Sequence, residues 1–515
     1  MLPLIETRIC WIITTSLGFL IVKDIIRWVG FFKWPSLPDT QIWIGFSYFI
    51  IFHLITVSLA SLYRRLFTQL SLVFIYLNLL LFFYLLFLIK GLLFGNFPDQ
   101  IWWLMIFSIL IFLWGVLPKN KLEDPTFNNN LPLFGKIAIA LWCLSSLCLW
   151  IPQNWDIHRV VFVDEGSFWF SAGEQMVKFG TTPAHAISYP GGGLHPFGIP
   201  FMASAPLTWS GWNNPWAIYC WPLVIIFSLG LWLLSQPLKK WALLFFVSSL
   251  LVVYSNESWP AQLMYQLVYG ESICVVLLLV LISEMWRVIQ KPNLSPISFL
   301  AISGATGLLA LTKSPLDILV IPLELTFLFL VFRYQRSMLT RRLVISAIGC
   351  CFLPLVIWSI FTQHFHILSL SSSGSVADIL SRIPHPNTSF LWLSLKSMWG
   401  LDQNMIYVSC LSLLILSFCA HPIRYLIIPF LLWILGWFFY YGYIFSYPTT
   451  QGDYLSGLRY LMPITLVLFW AAAIAYQETI DHFLKINILK ARLLQCLAFI
   501  FMILMIFFGK IYLIT

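Results

Sequence analysis

The feature that most constrains this chain is a succession of apolar runs recurring from near residue 9 to residue 508. A helix of about 20 mostly apolar residues covers the hydrocarbon core of a bilayer. Backbone groups in lipid have no water to bond, so such runs must be helices. The runs begin near Ile9 and continue at 42–62, 70–89, 101–117, 133–151, 216–235, 241–254 and 272–286. They resume at 297–311, 316–332, 343–361, 405–420, 425–445, 460–476 and 493–508. The expected fold is all-α, a polytopic transmembrane bundle of about 13–15 spans. Residues 1–130 read as N-terminal transmembrane helices. Residues 131–476 read as a transmembrane core with long outer loops at 152–214 and 363–404, and 477–515 as a cytoplasmic loop with a last span. Met1–Arg8 leads into the first run with no small-residue cleavage site, which reads as an uncleaved span.

Composition agrees. Hydrophobic residues make up 60% of the chain and Asp, Glu, Lys and Arg only 10%, against about 25% charged in soluble domains. In water such a chain could not cover itself with polar surface. The net charge of +9 reads as topological, because basic residues concentrate in cytoplasmic loops. No Lys/Arg run interleaved with aromatics is present, so nucleic acid is not an expected partner. The ten cysteines all lie in apolar stretches and read as small hydrophobes.

Charge sorts the connecting loops. One alternating set carries Arg64, Arg65, Lys119, Lys121, Lys239, Lys240, Arg287, Lys291, Arg333, Arg336, Arg341, Arg342, Arg424, Lys485, Lys490 and Arg492. The positive-inside rule puts that set in the cytoplasm, with the N-terminus. Lys23, Arg27 and Lys33 depart from the pattern. Both long loops, and Thr515, then face outward, in the cell (inner) membrane as the expected location.

The outer loops hold the candidate chemistry. Asp164 and Glu165 precede a stretch in which Phe168, Trp169, Ala172, Met176 and Phe179 recur at helical spacing, ending at Gly180. It reads as a helix lying in the membrane interface. The two carboxylates suit either a helix start favoured by the dipole or a general base or metal ligand. Tyr189-Pro-Gly-Gly-Gly193 and His195 follow, as a tight turn or as a close backbone approach to a ligand. Glu271 closes a shorter loop of polar and aromatic residues. Lys313 sits between two apolar runs with Asp317 nearby, as a snorkelling structural pair or as a ligand for a lipid phosphate. Asp453, Arg459 and Tyr460 lie in the last outer loop. An arginine there either snorkels or clamps a phosphate through two parallel hydrogen bonds.

The order of an acidic pair, an interfacial helix, Tyr189-Pro190-Gly191, Lys313 and Arg459-Tyr460-Leu461-Met462-Pro463 resembles the GT-C superfamily of polyprenyl-phosphate-dependent glycosyltransferases, over roughly Val163–Met462. Protein mannosyltransferases and the aminoarabinose transferases of lipid A belong to that superfamily. The resemblance implies a GT-C-like core, a sugar donor carried on polyprenyl phosphate, and a glycan, lipid or protein acceptor. It implies Asp164 as the catalytic carboxylate, Glu165 as its alternate, and Lys313 and Arg459 on the donor phosphate. Tyr189, His195, Glu271, Asp453 and Tyr460 complete the set as substrate-binding candidates. A divalent metal, Mg or Mn, held by Asp164, Glu165 and Asp453 is an open option. One departure stands out: members place the acidic loop directly after their first span, whereas five runs precede Asp164 here.

Two other readings compete. An O-antigen-type polymerase or ligase would rely on Arg382 and His364 of the second long loop. A lipid or glycan transporter would show repeated halves with ionisable groups at the midplane, and no repeat is visible in the sequence.

Overall fold

The computed structural model describes residues 40–64, 66–94, 133–154, 173, 176, 198–206, 216–236, 238–254, 270–290, 294–312, 314–364, 403–418, 421–439, 462–491 and 493–495. These residues are mostly helical, joined by short turns, with no strand among them. The helices are α1 Thr40–Tyr63, α2 Leu72–Phe94, α3 Leu133–Asn154, α4 Gly198–Ser204, α5 Trp216–Tyr219, α6 Trp221–Ser235 and α7 Lys240–Tyr254. They continue with α8 Gly270–Gln290, α9 Pro296–Leu308, α10 Ser314–Tyr334, α11 Arg341–His364, α12 Gln403–Phe418, α13 Arg424–Phe439 and α14 Met462–Ile486. Single 3-10 turns at Leu309–Leu311 and Arg336–Met338 extend α9 and follow α10. Among the described residues, 6 helices are long and apolar enough to cross a membrane: Ile42–Tyr63, Leu72–Leu93, Trp216–Ser235, Ser272–Gln290, Arg341–His364 and Met462–Ile486. The expected runs at 101–117 and 493–508, and the first from Ile9, lie wholly or largely outside the described residues.

Two runs differ from their expected bounds by more than frayed ends, each for a local reason. The run at 216–235 is broken at Cys220, because Pro222 opens α6 and has no N–H to continue the ladder from α5. The run at 460–476 continues as helix to Ile486. Its polar extension is held in place by α7. Gln477 Oε1 accepts from Trp241 N at 3.1 Å and Ala242 N at 3.2 Å, satisfying two first-turn donors that α7 cannot satisfy itself. Gln477 Nε2 donates to Asp481 Oδ1 at 3.0 Å, and Asp481 pairs with Lys239.

The same end of the bundle gathers the basic connections into one bonded layer. Arg287 pairs with the buried Glu284 at 2.6 Å and donates to the Gln69 carbonyl. Glu284 also accepts from Ser71 N at 3.3 Å, and Gln69 Oε1 accepts from Ser295 N at 2.8 Å. Gln335 donates to the Ile289 carbonyl at 3.3 Å. Trp286 meets the His421 ring edge-on at 5.3 Å, and the Arg333 guanidinium lies 5.6 Å from the Tyr425 ring. The turns after α1, α6, α8 and α10 and the start of α13 thus meet at the C-terminal ends of α8 and α14.

The interior is packed by large aromatics. Trp142, Trp221, Trp232 and Trp470 are fully buried. Trp232 Nε1 donates to Ser283 Oγ at 2.7 Å, tying α6 to α8. Helix contact in lipid has little hydrophobic driving force, so close approach across small residues carries the packing. Among the described residues, the tightest such contact joins α9 to α11. A methyl group at Gly307 would lie 2.0 Å from the Cys351 carbonyl oxygen.

Candidate functional site

The end opposite the basic layer is formed by the last turns of α2, α3 and α11, by α4 and α5, by the first turn of α8, and by the 3-10 turn after α9. α4 holds the centre. Phe201 packs against Tyr84 at 5.3 Å and Phe87 at 5.1 Å on α2. Gly198, which opens α4, sits directly on the 3-10 turn: a methyl group there would be 2.3 Å from the Leu311 carbonyl oxygen and 3.2 Å from Tyr84. Only glycine permits that backbone approach. Gly173 also lies close against α4, with a methyl position 2.7 Å from Ser204 Cβ and 3.1 Å from the Pro200 carbonyl oxygen.

The 3-10 turn ends at Thr312, which is fully buried. Its hydroxyl donates to the Leu309 carbonyl at 2.6 Å and accepts from Cys274 Sγ at 3.8 Å. Cys274 lies in the opening turns of α8, and α10 starts at Ser314. Two helix N-termini therefore face the same end of the bundle beside one buried contact. Each carries first-turn N–H groups and the positive end of a helix dipole, and each first turn also holds an acidic residue, Glu271 on α8 and Asp317 on α10.

The residues singled out from sequence stand around this framework. Asp164, Glu165, Tyr189, His195, Lys313, Asp453, Arg459 and Tyr460 lie outside the described residues. Glu271 is the second residue of α8, with its backbone alone described. Of the stretch read as an interfacial helix, Gly173 and Met176 are described; both are helical, and Met176 is buried. Their described neighbours do come together: residue 173 and α4 from the first long loop, Thr312 next to Lys313, and Cys274 one turn from Glu271. No family model, curated protein or solved structure matches the chain.

Among the described residues no group of three or more His, Cys, Asp or Glu side chains could hold a metal ion. Asp164, Glu165 and Asp453, the carboxylates offered for Mg or Mn, lie outside them. Besides Glu284 at the basic end, two ionisable groups lie buried inside apolar helices, and the sequence analysis gives them no role. His53 Nδ1 is bonded to Tyr76 OH at 2.7 Å between α1 and α2. Glu324 is buried on α10. The signal for both was available, since an ionisable residue within an apolar span is rare enough to mark.

Proposed function

We propose that the protein is a membrane glycosyltransferase of GT-C-like architecture that moves a sugar from a polyprenyl-phosphate donor to a glycan, lipid or protein acceptor at the outer face of the membrane. The observation that carries the reading is the convergence around the Leu309–Thr312 turn. The N-termini of α8 and α10 and the backbone of α4 crowd the segment that leads into Lys313. A leaving polyprenyl phosphate gains negative charge as the glycosidic bond breaks. Helix N-termini and a lysine at that point would lower the barrier more than they stabilise the bound donor.

The remaining roles follow from the chemistry. Asp164, with Glu165 as alternate, takes the proton from the acceptor hydroxyl as it attacks the anomeric carbon. Lys313 and Arg459 hold the phosphate, Arg459 through parallel hydrogen bonds. Tyr189, His195, Glu271, Asp453 and Tyr460 line the sugar and acceptor. The bonded basic layer is the cytoplasmic face by the positive-inside rule, which turns the candidate site outward.

The test is ligand stabilisation of the purified protein in detergent. Polyprenyl phosphate should raise the melting temperature and the phosphate-free polyprenol should not. Lys313→Gln should lose most of the shift. An equal shift from both lipids, or an undiminished shift in Lys313→Gln, contradicts the reading.

A further inference from the structure

Glu324 is used by none of the chemistry above. It lies in the middle of α10 and is only 3% exposed. Neither of its carboxyl oxygens has a hydrogen-bond partner among the described residues. Its neighbours on the same helix, Ile321 and Leu325, turn outward and are exposed.

Polar and charged groups stand on each element packed on α10. From α9, Ser303 is fully buried, and its hydroxyl is the hydrogen-bonding group nearest the carboxyl, although the two do not meet as a formed hydrogen bond. From α11, the Cys350 and Cys351 thiols sit within its field. On α8, Glu284 and Arg287 are paired with each other at the basic end. On α13, Arg424 lies 5.5 Å from the Tyr425 ring at that same end. Arg336 of the following turn lies 5.1 Å from the Phe332 ring. The ion pairs among the described residues do not include Glu324.

We propose that Glu324 and Ser303 form a proton-binding site within the apolar layer, with Glu324 carrying the proton and Ser303 Oγ as the acceptor one side-chain rotation away. An ionised carboxylate whose nearest donor is a single serine hydroxyl, with no cation paired to it, is costly there. A carboxylic acid needs one acceptor, which a serine hydroxyl supplies. The close approach of α9 to α11 at Gly307 limits the hydration that an ionised group would require. The helices that carry the pair, α9 and α10, also carry the Leu309–Thr312 turn between them. This site stands whether or not the protein transfers sugar.

Infrared difference spectroscopy of purified wild type against Glu324→Gln at neutral pH tests it. The expected result is a deuterium-sensitive carbonyl band of a protonated carboxyl that the variant lacks. A difference confined to ionised-carboxylate bands overturns the proposal. A second measurement needs no variant. The wild-type protein is treated with a hydrophobic carbodiimide and adducts are mapped by peptide mass spectrometry. An adduct on Glu324 at neutral pH that fades at alkaline pH is expected. Reaction at exposed carboxyls with none at Glu324 overturns it.

Discussion

Replacing Gly307 with alanine tests the packing that holds α9 against α11. The added methyl would stand 2.0 Å from the Cys351 carbonyl oxygen, 2.8 Å from its carbon and 3.0 Å from its Cα. All three are backbone atoms, so no side chain can rotate away. Ordinary contact begins at 3.4 Å, so the oxygen must retreat by 3.4 − 2.0, about 1.4 Å. Inserting a methyl into a packed interface costs about 1–3 kcal/mol, and this contact belongs at the upper end. Alanine returns about 1 kcal/mol through helix propensity, leaving a net loss of about 2 kcal/mol. Gly349 on α11 is the internal control, because a methyl there meets nothing within 4 Å. Gly349→Ala should be neutral or more stable by up to about 1 kcal/mol. Unfolding in dodecyl sulfate from mixed micelles, followed by tryptophan fluorescence, measures both. Coincident transitions for the two variants would refute the close approach.

Other consequences follow from single contacts. Arg287→Met leaves the Glu284 carboxylate buried without its partner and should cost about 3–5 kcal/mol in the same assay; the double variant with Glu284→Gln should recover part of that loss. Lys239 is largely exposed, so Lys239→Met should cost less than about 1 kcal/mol. Its hydrogen bond with Asp481 raises its pKa above 10.5, so the contribution is present at neutral pH and disappears as pH rises through the raised value. Burial holds His421 below its ordinary 6.5, with Glu478 opposing. The unfolded chain therefore takes that proton first, and stability falls as pH drops below about 6.5 until the folded imidazole is charged too; His421→Gln should flatten that slope in a pH series of unfolding transitions. Gly198→Ala pushes the Leu311 carbonyl away and should reduce the thermal shift given by polyprenyl phosphate.

Helix positions were legible because hydrophobic length is a local property. The runs at 42–62, 133–151, 241–254 and 343–361 recur as α1, α3, α7 and α11 with ends displaced by a few residues. The basic loops were legible as a set, and the hydrogen bonds among Gln69, Arg287, Ser295 and Gln335 turn that set into a physical layer. Partners distant in the chain were not legible. Arg287 reads as a loop cation, yet it ends α8 and neutralises a buried carboxylate one turn earlier. Gln477 reads as the polar end of a span, and its capping of α7 depends on a contact across more than two hundred residues. The glycine positions were hidden too. Gly191–Gly193, conspicuous in the sequence, lie outside the described residues; among the described ones Gly173 and Gly198 make the close approaches around α4. Which backbone a glycine must admit is set by tertiary packing.

The most direct test of the proposed function is a mass-spectrometric comparison of lipid-linked and surface glycans in four strains. These carry wild type, a deletion, Asp164→Asn and Lys313→Gln, with the variants at matched protein level. The account predicts that both variants and the deletion accumulate the same polyprenyl-phosphate sugar and lose the same surface sugar, whose mass then names the substrate. A deletion that leaves both glycan pools unchanged, or variants that behave as wild type while the deletion does not, would contradict it.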